Sequence, residues 1–89
     1  MKYNSRSFLN KSTGIAAIEV SVDTSHTYVE ANIALSDCNR TVNIDLSSSN
    51  KVAFKNKLDK LSKLINELTS LETVLKDLQT SPEFSKYFK

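Results

Sequence analysis

From residue 51 to residue 80 the chain runs without Gly or Pro, and its apolar residues recur in a heptad-like stripe. Phe54, Leu61, Leu68 and Leu75 are spaced by seven, and the companion position holds Lys57, Leu64, Leu71 and Leu78. This periodicity predicts one long helix, about 45 Å from end to end at 1.5 Å per residue. Leu58 and Ile65 widen the stripe in the first half, while Val74 flanks it in the second. A broad stripe suits packing on a sheet and a narrow seam suits a second helix. Phe54, Leu58, Leu61 and Ile65 are therefore expected on a sheet face. Leu68, Leu71, Val74, Leu75 and Leu78 overhang it and form the candidate self-association surface.

Upstream of the helix the period is 2. Ala16, Ile18, Val20 and Val22 alternate with Ala17, Glu19, Ser21 and Asp23, the pattern of a half-buried strand. After a turn at Thr24-Ser25-His26, Thr27, Val29, Ala31, Ile33 and Leu35 alternate with Tyr28, Glu30, Asn32, Ala34 and Ser36. Asp37-Cys38-Asn39 supplies turn-tolerant residues, and Val42, Ile44 and Leu46 then alternate with Thr41, Asn43 and Asp45. Short connections favour an antiparallel meander. Such strands span about 30 Å at roughly 3.3 Å per residue, less than the helix that follows.

The flanks complete the expected order β-β-β-α-α. Residues 1–14 read as an irregular segment anchored by Phe8 and Leu9, with Gly14 at a turn before the 15–46 meander. Ser47-Ser48-Ser49-Asn50 offers N-caps for the 51–80 helix. Ser81-Pro82-Glu83 is a restart, and Phe84, Tyr87 and Phe88 share one face of a short helix over 82–88. The whole is an α+β fold, a three-stranded antiparallel meander under one long helix, in a single domain spanning 1–89.

A chain of 89 residues buries little more than about 60% of the surface its unfolded form exposes, so its stability is modest without help. Cys38 is the only cysteine and His26 the only histidine, which excludes an internal disulfide and gives no metal spacing. Oligomerisation remains, and a homodimer through the helix is expected. The terminal Phe84, Tyr87 and Phe88 offer a competing, intrachain cover. No apolar run has the length of a signal peptide or a membrane span, so a cytoplasmic protein is expected.

Charge refines this picture. Between residues 15 and 46, Glu19, Asp23, Glu30, Asp37 and Asp45 face Arg40 alone, a net −4. Between 51 and 63, five lysines oppose Asp59, a net +4. A wet sheet face carrying Glu19, Tyr28, Glu30, Asn32, Asn43 and Asp45 repels phosphate and suits a basic protein partner, with Tyr28 as an anchor. The alternative is a dimeric nucleic-acid-binding regulator, in which Lys51, Lys55, Lys60 and Lys63 of two copies form a basic stripe. Those lysines lack interleaved arginine, so a solvated helix face is the plainer reading.

Catalytic chemistry finds no footing. His26 lies in a turn with no partner close in sequence, and Cys38 has no His or Lys alongside to activate it as a nucleophile. One glycine builds no phosphate loop. The expectation is a non-enzymatic, cofactor-free protein-binding module, an adaptor or inhibitor. Small Asn/Ser/Lys-rich domains of this kind are common among accessory proteins of phages and mobile elements.

Overall fold

A computed structural model describes residues 1–10 and 16–87. The expected turn at Gly14, the first residue of the expected meander and Phe88 lie outside the described residues. The fold is α+β, with an antiparallel sheet and one long helix. The sheet has four strands: β1 (Lys2–Phe8), β2 (Ala16–Asp23), β3 (Glu30–Asp37) and β4 (Arg40–Asp45), paired in chain order. The helix α1 spans Lys51–Gln79, and a 3-10 turn spans Phe84–Tyr87.

Three expectations are corrected. The segment read as irregular holds β1, so the meander has four strands rather than three. The short terminal helix is only a 3-10 turn, because one turn after Pro82 is too short to sustain the α-helical ladder. Tyr28 is not on a strand. β3 begins at Glu30, and Tyr28 belongs to the β2–β3 connection.

Register follows the period-2 pattern. Val20 pairs with Ile33, which pairs with Ile44, and Ile18 pairs with Leu35, which pairs with Val42. These residues share the apolar face, since side chains alternate across a strand. β1 contributes only Tyr3, with Ser5 and Ser7, to that face. Beyond β4, the chain stays attached to the connection ahead of β3. Val29 and Ser48 exchange both backbone hydrogen bonds at 2.9 Å, and Ser47 Oγ accepts from the Ala31 N–H at 3.1 Å.

The β3–β4 hairpin turns through Cys38-Asn39, between the paired Asp37 and Arg40. Cys38 is held at φ 56°, a left-handed conformation that costs a residue with a Cβ about 1 kcal/mol. Cys38→Gly relieves that strain, partly offset by a more flexible unfolded chain. The expected net gain is about 0.5 kcal/mol, or a few degrees in Tm by calorimetry.

The chain divides into two compact units, Met1–Leu58 and Asp59–Lys89. The first holds the sheet and the opening turns of α1. Asn50 starts the helix: its Oδ1 accepts from the Ala53 N–H at 2.8 Å and its carbonyl from the Phe54 N–H at 2.9 Å. The buried hydrophobic core of the described residues is Ala16, Ala17 and Ile33. No residue of α1 is buried, and Phe54, Leu58 and Ile65, assigned to the sheet from the pattern, remain about half exposed.

Candidate functional site

The second unit is built around the C-terminal two-thirds of α1. At 3.6 residues per turn, Leu68, Leu71, Leu75 and Leu78 fall on one face, and Val74 flanks them. Leu68, Leu71, Val74 and Leu75 are each more than half exposed, and Leu78 is 39% exposed. After α1, Ser81 N–H donates to the Leu78 carbonyl and Phe84 N–H to the Ser81 carbonyl, at 3.1 and 3.2 Å. This brings Phe84 to the rim of a shallow groove shared with Leu68, Leu71 and Leu75, while Tyr87 stays 61% exposed. Glu72 and Lys76 pair along the helix at 3.6 Å on the groove's edge.

In the first unit, the wet sheet face is less acidic than the charge pattern alone suggested. β1 places Lys2 opposite Asp23 and Arg6 opposite Glu19. The Arg6 guanidinium also lies 5.3 Å from the Phe8 ring centroid. The acidic character that remains is on the β3–β4 side. There Glu30, Asn32, Asn43 and Asp45 share the face, with an Asn32–Asn43 side-chain hydrogen bond at 3.5 Å. Asp45 also accepts from the Ser47 N–H at 2.8 Å.

The β2–β3 connection groups residues that sequence reasoning left apart. Tyr28 stacks on His26, with ring centroids 5.3 Å apart and planes 13° apart, and His26 Nε2 lies 3.8 Å from Glu30 Oε2. His26 therefore has partners two and four residues away, a spacing that the turn concealed. Asp23, His26 and Glu30 offer three ligand atoms within 4.8 Å of one another, two carboxylates and an imidazole at the surface. Asp23 Oδ1 is already engaged, accepting from the Ser25 hydroxyl at 2.6 Å and the Ser25 N–H at 2.9 Å.

Those bonds hold the Asp23 carboxyl below the ordinary aspartate value of 3.8, the hydroxyl contributing most and Lys2 adding an attractive charge. A depressed folded-state pKa stabilises the fold above the unfolded value, and the contribution is lost as pH falls through the folded one. The expected result is an Asp23 titration midpoint below 3.8 that rises in Ser25→Ala, read by carboxyl NMR. An unchanged midpoint would separate the shift from Ser25.

Lys51 and Lys55 share one helix face in the first unit, and Lys60 and Lys63 share one in the second. All four are exposed. No helix among the described residues is long and apolar enough to cross a membrane. No protein-family model matches the chain, and no curated protein or solved structure matches it either.

Proposed function

We propose that this protein is a non-enzymatic protein-binding module that self-associates through the second half of α1 and acts in the cytoplasm as an adaptor or inhibitor. The observation that supports this is the continuous apolar stripe Leu68, Leu71, Val74, Leu75 and Leu78, largely exposed on a chain whose buried hydrophobic core, among the described residues, is two alanines and one isoleucine. Contiguous apolar surface of that kind marks an interaction site, and a small domain without disulfide support gains most from covering it. Glu30, Asn32, Asn43 and Asp45, with the nearby Tyr28 and the more neutralised Glu19, form the surface offered to a basic partner.

Sedimentation velocity at low salt, with a labelled DNA duplex present, tests the reading. A species of twice the 10.0 kDa monomer mass with an unmoved DNA boundary supports it. A monomer at all concentrations defeats self-association. A DNA boundary that moves with the protein, and retreats as salt rises, brings forward the nucleic-acid regulator carried by Lys51, Lys55, Lys60 and Lys63.

A further inference from the structure

The leucine seam carries a direction as well as a surface. We propose that two copies pair through residues 60–79 of α1 in antiparallel orientation, with Leu61 against Leu78, Leu64 against Leu75 and Leu68 against Leu71 of the second copy. This rests on the self-association reading and specifies its partner and geometry.

The spacing favours this register. The six leucines are symmetric about the midpoint between Thr69 and Ser70, so inverting one helix brings every leucine onto a leucine. Antiparallel pairs match the two seam positions with each other in this way, whereas parallel pairs match each with itself. A parallel, in-register pair would extend the same seam back to Lys57 and set it beside its own copy, inside the apolar contact. In the antiparallel register Lys57 lies opposite residue 82 of the second copy, beyond Gln79 where the helix has ended.

Charge points the same way. Glu67 and Glu72 flank the seam on opposite sides. Parallel pairing would place Glu67 of each copy beside Glu72 of the other, a like-charge contact repeated twice. Antiparallel pairing puts Glu67 and Glu72 on opposite sides of the dimer and gives them Val74 and Ile65 as neighbours. It also lays residues 60–69, net +1 from Lys60, Lys63 and Glu67, along residues 70–79, net −1 from Glu72, Lys76 and Asp77. The lysine-rich opening of each helix then sits at the far end from its copy, and the helix dipoles oppose each other favourably.

A spin label reports the direction without touching the seam. Val52 is 73% exposed on the outer side of α1, and Cys38→Ser with Val52→Cys leaves one labelling site. In the antiparallel register the two labels are separated by about 50 Å along the helix axis, at 1.5 Å per residue. In a parallel, in-register pair the axes lie about 8–10 Å apart and the labels fall within roughly 30 Å. Pulsed dipolar spectroscopy on the full chain is expected to give the long distance. A short distance at dimeric mass overturns the direction while self-association stands. Absent dipolar coupling at monomeric mass, with helix content retained, overturns both.

Discussion

Leu71→Glu combined with Leu75→Glu is expected to abolish the proposed dimer: the double variant sediments as a monomer or unfolds, at concentrations where the self-association reading has the parent dimeric. The two leucines occupy both seam positions, 53% and 54% exposed in the single chain, so their substitution costs that chain little by itself. In the pair the cost is large. Each site loses about 1.5–3 kcal/mol of leucine burial and must desolvate a carboxylate with no cation in the seam. Counting two sites in each copy, the dissociation constant rises by at least about a thousandfold. The control carries the same added charge on the other faces of the helix, Ser70→Glu with Thr73→Glu, and keeps the parent's mass. Circular dichroism at matched concentration separates a folded monomer from a chain that cannot fold alone. An unchanged mass in the Leu71 and Leu75 variant would end the self-association reading. If the apolar stripe is instead covered by the chain's own Phe84 turn, the parent is monomeric and the variant loses melting temperature without changing mass.

The pattern of apolar residues revealed β2, β3, β4 and α1 for the same reason: each has a buried or buriable face, and that face writes a period into the chain. The three strands align as their alternation requires, with Val20, Ile33 and Ile44 in one row. β1 could not be read this way. Lys2–Phe8 is an edge strand with Tyr3, Ser5 and Ser7 on the apolar side, so it buries almost nothing that would show as alternation. It is held instead by its backbone ladder to β2, with Thr24 N–H donating to the Met1 carbonyl and Leu9 N–H to that of Ala16. Backbone pairing leaves no mark on side-chain composition. β1 matters for the site, because it carries Lys2 and Arg6 onto the face expected to be acidic and Asn-rich. The displacement of Tyr28 has another cause. The alternation in residues 27–36 continues through the connection, but Tyr28 turns out of the strand to stack on His26, and β3 starts only at Glu30. The terminal Phe84 and Tyr87 have helical spacing, yet the segment is one turn long and settles as a 3-10 turn.

The second large effect concerns Ile33, which among the described residues is the one branched side chain in a buried hydrophobic core otherwise made of Ala16 and Ala17. It lies in the interior strand β3, paired with Val20 on one side and Ile44 on the other, and is 7% exposed. Ile33→Ala removes three carbons from that row and leaves a gap that β2 and β4 cannot close without breaking register. The loss is about 2–4 kcal/mol. For a domain of this size each kcal/mol moves Tm by roughly 4–8 °C, so the melting temperature falls by at least about 10 °C. Val42→Ala provides the comparison, since Val42 lies on the same apolar face of the edge strand β4 but is 59% exposed. Its expected cost is within about 0.5 kcal/mol. Thermal melts of both variants at one protein concentration decide the matter. A large difference places the sheet's stability in the Ile33 row. Equal losses would mean that Val42 is covered in solution, and would extend to the apolar sheet face the proposal made for the helix seam, an interface between copies.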